Sequence, residues 1–136
     1  MTQIDFFSNA PNRLDYVVRL LKKVRAAEQT AVVLAAPDAL NTLSDALWRL
    51  DGFYAHHVQP ADLAAPIVLI GSMPAHLPHY ANLINLTDSV PDGFASFTRL
   101  IEVVPTDDTP RQAARERWSF YKDRGYAMTH HDIAAK

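Results

Sequence analysis

Two short, unbroken apolar runs restrict the fold of this chain more than any other feature: TAVVLAA at 30–36 and APIVLI at 65–70. Neither alternates polar with apolar residues, as a strand with one wet face would. Both are too short for an ordinary buried helix, and the first is rich in β-branched valine. They read as strands covered on both faces, the condition of a parallel sheet held between helices. Between them, Pro37 and Asp38 open a helix in which Leu40, Leu43, Leu47 and Trp48 line one side, ending near Leu50 to Gly52.

The rest of the chain repeats this alternation. Ile4 to Phe7 is a short strand, followed by a turn at Asn9, Pro11 and Asn12. Leu14, Val17, Val18, Leu21 and Val24 recur every three or four residues, so 12–27 is an amphipathic helix. Phe53–Val58 and Ala81–Leu86 are further strand candidates, and a short helix follows from about Asp92. Ile101–Val104 is the next strand, then a helix over 109–124, then an edge strand over Tyr126–Met128. Strands alternating with helices predict an α/β domain with a mainly parallel sheet between helical layers. At 136 residues, 49% of them hydrophobic, one domain over 1–136 suffices, with 129–136 expected as a frayed tail.

Composition removes several chemistries. There is no cysteine, which excludes disulfides, thiolate nucleophiles and cysteine-held metals. The net charge of -2 gives no overall attraction to nucleic acid or anionic lipid. No apolar run approaches the ~20 residues that span a bilayer, and no secretory leader is visible, so a cytoplasmic chain is expected. The turn after the first strand, SNAPN, contains no glycine, so the backbone cradle of a dinucleotide or P-loop site is missing and no cofactor is expected. The histidines come as His56-His57, His76/His79 and His130-His131. Adjacent histidines on a strand face opposite ways, and Pro78 disfavours a regular helix through His76 and His79, so no metal site is expected. Gly71-Ser72 follows the strand at 65–70, where an α/β hydrolase or isomerase would place a site, with His76 or His79 nearby.

Charge is unevenly distributed. Residues 111–125 carry Arg111, Arg115, Arg117, Lys122 and Arg124 against Glu116 and Asp123, and the first helix carries Arg13, Arg19, Lys22, Lys23 and Arg25. Two basic helices packed side by side would form one face for an acidic partner or for nucleic acid; packed apart, they are two solvated surfaces.

The segment VVPTDDTPRQAARERWSFYKDRG at 103–125 carries the most functional information. Asp107 and Asp108 lie in a turn, Thr109 is a candidate N-cap with Pro110 at the first helical position, and Gly125 is a left-handed stop. Arg111, Arg115, Trp118, Ser119 and Lys122 share one side of the helix. Cations beside an indole can hold a carboxylate and a neighbouring ring, which is docking chemistry rather than covalent chemistry. Alternatively Trp118 is buried and Arg115 and Lys122 are solvated charges.

The run from Ile101 through Gly125, with VVP, an acidic turn, QAARERW, Tyr121 and a closing Gly-aromatic pair, resembles the C-terminal region of the bacterial DNA polymerase III chi subunit family. Asp45-Ala46-Leu47-Trp48, followed by Phe53 and His56, is similar to that family's second helix and the turn after it. The resemblance spans most of the chain and is densest in the last quarter. It implies a Rossmann-like three-layer fold without a nucleotide site, and a non-enzymatic member of the clamp-loader assembly. It also implies two partners: the psi subunit, and the acidic C-terminal tail of the single-stranded-DNA-binding protein, which ends in Pro-Phe. By position, Arg115 would clamp the tail's terminal carboxylate, Trp118 would pack against the tail and Val104 would line the pocket floor. Ser119 stands where the family often has a lysine, and Arg111 and Lys122 are the candidates to replace that charge. The psi-facing surface would include Trp48, Phe53 and Tyr54; the other reading of Trp48 is a core side chain.

Overall fold

A computed structural model describes residues 2–49, 56–58 (backbone only), 66–73 and 81–133. The elements are β1 (Gln3–Ala10), α1 (Arg13–Ala26), β2 (Ala31–Leu34), α2 (Pro37–Trp48), β3 (His56–Val58), β4 (Ile67–Ile70), β5 (Asn82–Asn85), a 3-10 turn (Phe94–Ser96), β6 (Arg99–Pro105), α3 (Asp108–Asp123) and β7 (Ala127–Asp132). The strands form one sheet in the order β3-β4-β2-β5-β6-β1-β7, and every pairing is parallel. β2 and β4, the two apolar runs, are fully buried neighbours.

Helices cover both faces. Val17, Leu20, Leu21 and Val24 of α1 and Leu40, Leu43 and Leu47 of α2 join Val33, Leu69, Ile84 and Ile101 in one core. Ala114 and Tyr121 of α3 join Ile4, Phe6, Val32, Leu83 and Leu100 in the other. The two basic helices therefore lie on opposite sides of the sheet, and they form no common cationic face. Right-handed crossovers explain this: from β1 the chain crosses to β2 in one direction, while from β6 it crosses to β7 in the other, so α1 and α3 must take opposite faces.

β1 and β6 are paired neighbours whose following helices leave to opposite faces. That divergence opens a crevice beyond the carboxyl ends of the two strands, the position where open α/β sheets bind ligands. β1 runs longer than the apolar pattern indicates, and its pairing with β6 is irregular between Phe7 and Ala10. Asn9 there takes a left-handed conformation, φ 58°, which asparagine tolerates better than most residues. The bend turns Ser8 and Asn9 toward the crevice.

Four expectations change. The chain does not fray from 129: β7 runs to Asp132, paired parallel with β1 from Gln3↔Ala127 to Ser8↔Asp132. Trp48 does not line the core side of α2; it is 58% exposed, while Leu40, Leu43 and Leu47 are buried. The N-cap of α3 is Asp107, not Thr109, because the first turn begins two residues earlier and Pro110 occupies its third position. The helix expected from Asp92 is one 3-10 turn. The first half of the strand expected over Phe53–Val58 lies outside the described residues.

α3 ends as its glycine indicates. Gly125 has φ 80°, its N–H donates to the Lys122 carbonyl at 3.0 Å, and Tyr126 N–H donates to the Tyr121 carbonyl at 3.3 Å. This pair of bonds is the Schellman arrangement. A Cβ at Gly125 would meet nothing within 4 Å, so only backbone strain opposes a side chain there. Gly125→Ala is expected to cost about 1 kcal/mol in urea unfolding, the scale of placing a non-glycine residue in a left-handed conformation.

Candidate functional site

A cavity of ≈ 330 Å³ opens at the crevice beyond β1 and β6. Its wall comes from α3 (Arg111, Ala114, Arg115, Trp118), its floor from Phe6 and Val104, and its far side from Ser8, Asn9 and His130. The volume lies at the low end of the range of ligand pockets, about 300 to 1,000 Å³, and is enough for one or two side chains of a peptide.

Helical spacing brings the cations to it. Arg111, Arg115 and Trp118 are at i, i+4 and i+7, so they share a stripe along the edge of α3 that borders the sheet. Arg111 belongs to the first turn of α3, where the helix dipole adds positive potential, and Arg115 follows one turn later. Arg111 makes a long ion pair with Asp108, 3.9 Å apart and exposed, which contributes little. Arg115 is exposed and has no ion pair among the described residues. Trp118 is half-buried: its ring meets Phe6 edge-on at 5.1 Å and His130 edge-on at 6.2 Å. Those two contacts hold the indole while one part of it borders the cavity.

Arg117, two residues from Arg115, does the opposite work. It falls on the buried face with Ala114 and Tyr121. Its Nε and Nη2 each donate to the Glu102 carboxylate at 3.1 Å, a bidentate pair. Tyr121 Oη donates to the same carboxylate at 2.8 Å, and Asn85 Nδ2 donates to both of its oxygens at 3.1 Å. Full burial pushes the Glu102 carboxyl above the ordinary glutamate value, opposed by the Arg117 charge and by these hydrogen bonds. Burial, reinforced by Glu102, pushes the Tyr121 phenol far above its ordinary value, so it remains a donor. This cluster fixes the roll of α3 about its axis, and thereby directs Arg115 outward.

Of the six side chains singled out on α3 and β6, Arg111, Arg115, Trp118 and Val104 meet at the cavity, while Ser119 and Lys122 do not line it. Ser119 is one residue, 100° of helix rotation, beyond Trp118 and turned to solvent; Lys122 is a full turn, about 6 Å, past Trp118. Trp48 is exposed at the end of α2, and Phe53 and Tyr54 lie outside the described residues. Phe6, Ser8 and Asn9 reach the cavity through the pairing of β1 with β6, and His130 through the register of β7 with β1, neither of which a local spacing in the sequence signals.

Ser72 is exposed after β4 and does not line the cavity; His76 and His79 lie outside the described residues. His130 and His131 face opposite ways, His130 to Ser8 and His131 stacked on Phe7 at 4.6 Å. Among the described residues, no group of three or more His, Cys, Asp or Glu is placed to hold a metal, and no helix is long and apolar enough to cross a membrane.

The family model described as DNA polymerase III chi subunit, HolC, matches residues 1–129. The DNA polymerase III subunit chi of Pseudomonas aeruginosa is 32% identical over 141 residues, covering 98% of this chain and 98% of that protein. The DNA polymerase III subunit chi of Haemophilus influenzae is 28% identical over 95 residues, covering 67% of this chain and 66% of that protein.

Proposed function

The chain belongs to the DNA polymerase III chi subunit family, and we propose that it is a non-catalytic tether, joining the clamp-loader assembly to protein-coated single-stranded DNA. It does so by holding the acidic C-terminal tail of the single-stranded-DNA-binding protein in the cavity beside α3. The observation that carries this reading is a guanidinium, Arg115, with no ion pair among the described residues, at the mouth of a cavity floored by Phe6 and Val104 and bordered by Trp118. A tail that ends in phenylalanine presents the matching groups: one ring for the apolar floor and one free carboxylate for the guanidinium fork. The half-buried indole supplies the flat surface of an anchor, and Arg111 meets the acidic side chains before the end.

The psi subunit is the second partner in this reading. The described residue that supports it is Trp48, a large apolar side chain 58% exposed on the opposite side of the sheet from the cavity. Exposed tryptophans are frequent anchors of protein interfaces.

Titration calorimetry with a peptide ending in Asp-Ile-Pro-Phe tests the tail reading. The free-ended peptide should bind, and the same peptide with an amidated C-terminus should bind at least about tenfold more weakly, because the amide removes the charge that the guanidinium pairs. Equal affinities for the two peptides would remove the carboxylate clamp from the mechanism.

A further inference from the structure

His130 is the cavity residue that the arginine clamp does not use. It projects from β7 between the Trp118 ring and β1, and its Nε2 lies 2.6 Å from Ser8 Oγ. Ser8 also lines the cavity. Among the described residues, the charged groups around His130 are Arg111 and Arg115 of α3, which line the same cavity, and Asp132, two residues along β7 on the same side of the strand. β1 presents Ser8 and Asn9, with Asn9 Nδ2 donating to Asp132 Oδ1 at 3.0 Å, and β6 presents only Val104. His131 points to the other face, against Phe7.

We propose that His130 takes up a proton as the cavity captures a carboxylate, making peptide binding pH-sensitive through the His130–Ser8 pair. This inference rests on the reading of the cavity as a peptide-tail site. A carboxylate bound in the cavity that His130 lines places a negative charge beside the imidazole and favours the imidazolium. The hydrogen bond then changes direction. When Nε2 is the unprotonated ring nitrogen, the Ser8 hydroxyl must donate to it. Once Nε2 carries a proton it donates to Ser8 Oγ, and the hydroxyl is released to donate into the cavity. One proton thereby supplies a cation and a neutral donor, both aimed at the same anion. Histidine is the side chain suited to this between pH 5 and 8. Linkage is reciprocal, so the peptide must favour proton uptake as much as the proton favours the peptide.

Affinity for the Asp-Ile-Pro-Phe peptide, measured on the full chain at about pH 5.5 and about pH 8, tests this; carboxylates stay ionised over that span. The wild-type protein should bind roughly threefold tighter at the lower pH, the scale of one partly exposed charge pair. His130→Gln should bind equally at both, whatever its absolute affinity. In the wild-type protein, the NMR titration of the His130 ring should move to higher pH when the peptide is saturating. A variant that keeps the wild-type pH dependence, or a ring titration that the peptide leaves in place, overturns the inference while the tail reading stands. Absence of peptide binding at both pH values removes the tail reading and this inference together.

Discussion

Arg115→Ala is expected to weaken capture of a free-ended acidic peptide by about 2 kcal/mol or more, roughly thirtyfold, the scale for removing one member of a desolvated charge pair. The ground for so large an effect is geometric. Arg115 spends its charge on no carboxylate of its own chain among the described residues, and it borders an apolar floor that excludes water from one side of the contact. The same substitution should leave unfolding free energy within about 0.5 kcal/mol of the wild type, because an exposed surface position away from caps and cores rarely matters more. Calorimetry and urea unfolding on the same preparation separate the two effects. A variant that binds the peptide as the wild type does would take Arg115 out of the site.

Arg117→Met should do the reverse and damage the fold itself. It leaves the Glu102 carboxylate wholly buried with no countercharge, and breaking a buried pair in this way costs about 3–5 kcal/mol. Asn85 and Tyr121 still donate to Glu102, which keeps the loss toward the lower end. Replacing both partners, Arg117→Met with Glu102→Leu, should recover most of the stability, because the desolvation cost disappears with the charges. Urea unfolding of the single and double variants checks this. A single variant within about 1 kcal/mol of the wild type would show that the pair carries little, against the usual cost of an uncompensated buried charge.

The two arginines of ARER thus have opposite fates, and helical spacing within α3 by itself foreshadows only one of them. Arg115 was legible as an outward cation beside Trp118 because helical spacing alone puts them on one stripe. The burial of Arg117 had a signal as well: it falls between Ala114 and Tyr121 on the apolar face, and Glu102 interrupts the otherwise apolar run Leu100–Val104. Two charges at positions reserved for apolar residues can be read as a pair, but only together. The strands over 30–36 and 65–70 were legible because burial on both faces leaves no polar residue to blur them. The start of β7 was legible as the edge strand expected over Tyr126–Met128; its continuation was not, because Thr129, His130, His131 and Asp132 carry no hydrophobic pattern, and parallel pairing with β1 makes them a strand. Ser8, Asn9 and His130 enter the cavity for the same reason. Their proximity is a matter of register between segments more than a hundred residues apart, which no local spacing encodes.

The opposite placement of α2 and α3 has a mechanical consequence. In a parallel sheet each crossover helix runs back from the carboxyl ends of the strands to their amino ends, so Trp48 at the end of α2 and the cavity at the start of α3 are diagonally apart. On the proposed reading, a partner held at one of these corners leaves the other corner open. The chain would then act as a connector with two separate sockets, and whatever is plugged into one would be held at high local concentration beside whatever is plugged into the other.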